Sequence, residues 1–218
     1  MGLDMYLNKA KRFNDANIKE IISINYYLQW KEQDNEYSLL EWCGVKEEKI
    51  NKDLLPLYES EFNTRYCSWD DEKKYGRKSI ISYLADWRKA NQIHRWFVEN
   101  VQDGNDDCEI YEVSKEQLEE LLTLCKIVLE NSKLIDAQVK NGQTYVDGEW
   151  VDNYEDGQVI ENNVIARKLL PTASGFFFGS TEYDQWYLED IKHTIAILED
   201  CLRDTDFEHE VVMYSSSW

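Results

Sequence analysis

The segment from Ser114 to Leu129 constrains this chain more than any other. Ser114 and Gln117 have the spacing of a capping box, in which each side chain satisfies the other's free backbone N–H. Behind them Leu118, Leu121, Leu122, Cys125, Val128 and Leu129 recur at helical spacing. Such a stripe needs a second apolar surface to cover it, which demands a layered fold around a core. A matching stripe lies at Tyr187, Ile191, Ile195, Leu198 and Leu202, and predicts a long helix capped by Ser180 or Thr181, with Thr181 and Asp184 at capping-box spacing. Ala16 to Lys31 is a third helical segment, with Ile18, Ile21, Ile22, Asn25 and Leu28 in register.

Period-2 segments supply the sheet. Leu3, Met5 and Leu7 alternate with Asp4 and Tyr6. Cys108 to Val113, Phe176 to Phe178 between Gly175 and Gly179, and Phe207 to Tyr214 read as three more strands. Ser79 to Val101 reads as helical with a break near Asp86, and Ser38 to Glu41 as a capping box before a short helix stopped by Gly44. Residues 45–78, with Pro56, read as short helices and loops. The expected fold is α+β, a small mixed sheet of about four strands packed by about five helices in a single domain over 1–218. Strand 108–113, the helix after it and 176–178 form a candidate right-handed crossover.

Residues 131–165 differ in composition and read as an acidic surface insertion. Asn141-Gly142 and Asp147-Gly148 are turn signals, and Thr144 to Val146 with Glu149 to Val151 predict a small hairpin on a type I′ turn. Asp152, Asp156 and Gly157 occupy positions of a calcium loop, but Tyr154 and Asn163 break its ligand pattern.

The net charge of −19 favours solubility and repels nucleic acid and anionic membranes. It is uneven. Lys73 to Arg95 holds seven basic residues against Asp86, a net +6 that leaves −25 on the rest. Five cysteines without a CxxC pair read as reduced core thiols rather than a disulfide framework or zinc site. No stretch has the ~18 apolar residues of a membrane span, the N-terminal residues lack a signal-peptide core, and Tyr6 breaks the myristoylation pattern. The expected location is the cytoplasm.

Two segments carry candidate chemistry. In DWRKANQIHRWFVENVQ, Asp86 to Gln102, a helical wheel puts Ala90, Ile93, His94, Phe97 and Val101 on one face with Trp87 and Asn91 at its edge. Two readings are open. Asn91 and His94 are satisfied core polar residues, or they reach a pocket with Trp87 as stacking wall and Arg88 or Lys89 near a phosphate. In PTASGFFFGSTEYD, the turn Gly179, Ser180, Thr181 at a helix start offers free N–H groups to an anion, although Glu182 and Asp184 oppose one. It is no P-loop, because no Lys precedes Ser180. His94, His193 and His209 lack metal-ligand spacing, no GxSxG elbow occurs, and Cys108 with His94 is a weak nucleophile pair. No metal and no cofactor is expected.

MGLDMYL, WDDEKKYG (69–76), WRKANQIHRWFVENVQ, DDCEIYEVSKEQLEELL (106–122) and LLPTASGFFFGSTEYDQWY (169–187) together resemble a family of small uncharacterised proteins of phages and prophages of low-GC Gram-positive bacteria. The resemblance spans most of the chain, least at 8–60 and 131–165, and brings no activity with it. This chain departs from it at Ala85 and Asp86, where the family has Gly-Tyr, which puts an added carboxylate beside Trp87.

The resemblance implies a phage-type accessory protein in the host bacterial cytoplasm that interferes with a host system. One expectation is a protein that sequesters a small anionic, nucleotide-like ligand, such as an immune signal, through Trp87, Arg88, Lys89, Asn91, His94, Gly179, Ser180 and Thr181. A second is an acidic inhibitor that mimics nucleic acid on a host defence protein, since residues 103–120 carry a net −7 and residues 147–161 six acids and no base. A third is a nucleotide-processing enzyme, for which no base–nucleophile pair, metal cluster or cofactor loop is evident. No direct nucleic-acid or membrane contact is expected, and homo-oligomerisation stays open.

Overall fold

Leu3, Met5 and Leu7 are completely buried, and the strand they open, β1 (Asp4–Lys11), lies inside a four-stranded sheet. The computed structural model describes residues 2–32, 40, 43–66, 76–175 and 177–218. The Ser38–Glu41 capping box, Cys67, Lys73, Lys74 and Phe176 lie outside the described residues.

After β1 come α1 (Ile18–Glu32), α2 (Leu55–Glu59), β2 (Asn63–Tyr66), β3 (Gly76–Ser79), β4 (Ile81–Arg88) and α3 (Asn91–Asn100). Then follow β5 (Tyr111–Val113), α4 (Lys115–Glu130), β6 (Leu134–Val146), β7 (Glu149–Ile160), α5 (Val164–Leu169), α6 (Gln185–Asp204) and β8 (Glu210–Ser217). The main sheet runs β4-β1-β8-β5, and every pairing in it is antiparallel. β2–β3 and β6–β7 form two further two-stranded sheets. The chain is therefore α+β, as its two sequence periods require.

The sheet separates two cores, because successive residues of a strand face opposite sides. Val212 and Tyr214 of β8 join Leu3, Met5, Leu7 and Trp87 against α3, α4 and α6. Val211 and Met213 face the other way, with Ala10 and Ile80, onto α1 and α2. The Ser114–Gln117 box caps α4 as its spacing predicts, and Leu118, Leu121, Cys125 and Val128 are its buried stripe. The stripe packs in the same core as Tyr187, Ile191, Leu198 and Cys201 of α6. No helix among the described residues is long and apolar enough to cross a membrane.

Several expectations are corrected. Residues 81–88 are a strand, not a helix: β1 offers an open edge that pairs them from Asp4↔Arg88 to Ala10↔Ile81, and a bulge at Leu84 turns Ile81 and Tyr83 to one face and Ala85 and Trp87 to the other. Only α3 of the expected helix forms. Residues 63–66 and 76–78, expected in loops and short helices, and Ser79, expected to open a helix, pair as β2–β3. Phe177 and Phe178 lie in a loop rather than a strand, so the crossover through 176–178 does not exist. Helix α6 starts at Gln185, capped by Asp184, whose carboxylate accepts from the Trp186 and Tyr187 N–H groups; Ser180 and Thr181 are not its cap. The Asp147-Gly148 turn forms with φ of 50° and 94°, as a type I′ turn demands. The hairpin it joins is far longer than expected, and Asn141-Gly142 is a bulge in β6 rather than a turn. Cys125 and Cys201 are buried, whereas Cys43 is half-buried and Cys108 exposed, so among the described cysteines only the first two are core thiols.

Candidate functional site

The WRKANQIHRWF segment is turned inward. Trp87 is buried on β4 and its indole N–H donates to Thr194 Oγ1 at 2.9 Å. Asn91 is completely buried. Its amide donates to the carbonyls of Phe178 (3.1 Å) and Ser180 (2.8 Å), and its Oδ1 accepts from the Ala173 N–H (2.9 Å). One side chain thus satisfies three backbone groups of the 173–180 loop, which has no sheet partner to do so. His94 is buried between Tyr214, whose hydroxyl lies 2.8 Å from Nδ1, and Asp106, whose Oδ2 lies 3.1 Å from Nε2. The carboxylate only accepts, so Nε2 carries the hydrogen. Asp106 Oδ1 also accepts from the Trp218 indole. Both imidazole nitrogens are committed, which leaves none for the Cys108 thiol. Burial, with Asp106 and Asp107 adding to it, pushes that thiol up from its ordinary pKa.

The other expected ligand residues have separate surroundings. Arg88 is exposed, 3.8 Å from Asp4. Lys89 adopts a left-handed φ of 61° and donates its N–H to the Leu3 carbonyl. Gly179 has a φ of 93°, and a Cβ there would sit 3.0 Å from Lys89 Cβ, so its glycine is explained by packing as well as conformation. Gly179, Ser180 and Thr181 line an open cleft of about 370 Å³, but its other walls are Lys140, Gly142, Gln143 and Glu182. Ser180 Oγ accepts from the Glu182 N–H. The structure therefore brings Asn91 to the backbone of this turn without bringing Trp87 or His94 to a shared opening. The basic island also disperses: Lys78 pairs with Glu32 at 2.6 Å and Arg95 with Glu99 at 2.7 Å.

Beside the same helix, Gln92 donates to Asp190 Oδ2 of α6 at 3.1 Å. Burial pushes Asp190 up to about 6. At the opposite end of α6, Asp206, Glu208 and His209 hold ligand-type atoms within 4.8 Å of one another, all exposed. His209 Nδ1 already lies 2.8 Å from Asp206 Oδ2.

The outward-facing chemistry lies on the β6–β7 hairpin, inside the segment expected to be an insertion. Its base is fixed. Ile160 and Val139 are buried, the Ile160 N–H donates to the Tyr183 carbonyl (2.9 Å), the Gln158 N–H donates to Gln185 Oε1 (2.9 Å), and Val159 bridges Asp184. Beyond Lys140 and Tyr154 the ribbon is exposed, except for half-buried Asp152. Register puts Tyr145 opposite Trp150 and Lys140 opposite Tyr154, so all three rings share one face. Their exposures are 59%, 67% and 60%, and the Tyr145 and Trp150 rings lie 5.2 Å apart. Val146 and Val151 are exposed on the other face. The hairpin carries six acids against Lys140. Lys140 pairs with Asp152 at 2.7 Å, and Asn141 donates to Glu155 at 2.7 Å. Sequence reading missed these aromatics, although a two-residue turn at Asp147-Gly148 already fixes Tyr145 against Trp150. A second acidic surface runs over residues 103–120, where every Asp and Glu is exposed.

No family model matches this chain, and neither the curated proteins nor the solved structures include a significant match.

Proposed function

We propose that this protein acts by binding another protein through its β6–β7 arm and the acidic surface around it, as a non-catalytic accessory. The observation that carries the reading is the arm itself. Three aromatic rings, each more than half exposed, stand on one face of a ribbon that is held at its base; Gln143 and Tyr154 border clefts shared with residues 179–184, and the Tyr145–Trp150 tip lies beyond them. Exposed Tyr and Trp clusters are the usual anchors of protein interfaces. A lone hairpin is marginal in water and the cross-strand Tyr145–Trp150 pair helps to hold its tip, yet all three rings stay more than half exposed. The acidic arm and the net −7 of residues 103–120 favour a basic partner surface and speed encounter with it. The resemblance to phage and prophage proteins supports a bacterial host protein as the target, with inhibition of a host defence protein as the outcome.

Capture of a small anionic ligand is the weaker reading. It needs Trp87, Asn91 and His94 at an opening, and each is buried with its polar atoms engaged. The test is retention of proteins from a Gram-positive host lysate by the intact chain and by a variant whose residues 141–153 are replaced with a two-residue turn. Under this reading the intact chain retains a protein that rising salt releases, and the trimmed chain, equally stable, does not. Equal retention by both overturns it.

A further inference from the structure

We infer that the arm imitates single-stranded nucleic acid, and that its occupant is a protein groove that is basic and lined with aromatic side chains. The inference rests on the protein-binding reading above and names the partner's chemistry. Grooves that hold single strands combine positive charge along the backbone with aromatic rings on which successive bases stack. The arm presents both complements on one narrow support. Tyr145, Trp150 and Tyr154 offer flat π-faces on one side of the ribbon. Trp150 and Tyr154 are four residues apart on β7, about 13 Å at the rise of a strand. Between and beside them run Asp147, Glu149, Asp152, Glu155 and Asp156. Lys140 neutralises Asp152. Asn141 and Gln138 bond to Glu155 and Asp156 and leave their charge in place.

The ribbon is two strands wide and extended over 27 residues, from Leu134 to Ile160, so its distal part has the shape of an inserted strand rather than a flat patch. Charge also decides against the alternative occupant. A second copy, itself of net charge −19, would bring another arm with six acids against one lysine to the same face.

The test titrates the intact protein into three purified single-strand-binding proteins of the aromatic-lined groove type, each preloaded with fluorescein-labelled oligo-dT, and reads anisotropy. Light scattering of the intact protein alone reports its oligomeric state. The expected results are a monomer and release of the oligonucleotide from at least one groove. Trp150→Ala combined with Tyr154→Ala should weaken that release about tenfold or more, since each stacked ring contributes on that scale. Glu149→Gln with Glu155→Gln should weaken it further and flatten its salt dependence.

Three results overturn the inference: no release from any of the three, release that is indifferent to loss of the rings, and an arm-dependent dimer. If lysate retention still depends on the arm while no oligonucleotide is released, the protein-binding reading stands and only the nucleic-acid likeness falls. Lysate retention that is indifferent to trimming removes the broader reading.

Discussion

Asn91 and Trp150 each sit in an aromatic-rich stretch of the chain, and their surroundings are opposite. Asn91 is completely buried and holds three backbone groups of a neighbouring loop. Trp150 is two-thirds exposed, and its ring meets Tyr145 across the ribbon. Around Asn91, the β4 and α3 segment is internal scaffolding: Trp87 on Thr194, His94 between Tyr214 and Asp106, and Phe97 stacked on Tyr214 at 3.9 Å. Around Trp150, apolar surface is left uncovered and surrounded by charge. A distinctive sequence motif can therefore record the demands of a buried polar network, while exposed aromatic and acidic side chains sit on a segment that reads as an insertion.

Substitutions sharpen this contrast, and the largest effect belongs to Asn91. Asn91→Ala strands the Ala173 N–H and two carbonyls, which costs about 3 kcal/mol or more. A thermal melt should fall by about 10 °C for a domain of this size. A drop of a degree or two would mean that the 173–180 loop is held by something else.

Asp190 gives an effect of similar size with a pH signature. Its folded pKa of about 6 lies above the ordinary 3.8, so the folded state binds a proton that the unfolded chain has released. This favours folding at low pH, and the benefit is lost as pH rises through 6. Above that, the buried carboxylate costs about 3 kcal/mol relative to a neutral group. Asp190→Asn should match the parent near pH 4 and exceed it in urea midpoint at pH 7.5. A difference that is constant across that range contradicts the burial of this carboxylate.

Asp184→Ala removes the cap of α6 and should cost about 1–2 kcal/mol by urea titration. If Ser180→Ala costs as much instead, the helix begins where its capping spacing first predicted. The smallest effect is expected on the arm. Trp150→Ala and Tyr154→Ala should each change stability by less than about 0.5 kcal/mol, because neither ring covers the core.

What was legible follows the same division. The Ser114–Gln117 box and its stripe were plain, since cap and packing face are both local to the helix. The Asp147-Gly148 turn was plain because its backbone needs those residues. The burial of Asn91 and His94 was one of two open readings, and the structure takes the core one. Strand β4 was hidden because Leu84 interrupts its alternation, and the β1 edge that recruits it lies over 70 residues away. The 173–180 loop resembled a strand because Phe-Phe-Phe is apolar. Its backbone is satisfied by Asn91, however, and Phe177 takes a φ of 66° that no strand accepts. The full arm was illegible for the converse reason. A ribbon with two solvated faces has no buried side to impose alternation along VKNGQTYV.

The most direct test of the account is lysate retention by the Trp150→Ala/Tyr154→Ala protein, compared with the intact chain at equal folded concentration. The arm account predicts an unchanged melting temperature with the partner lost. A partner retained at full strength, with both rings gone and the fold intact, would contradict it.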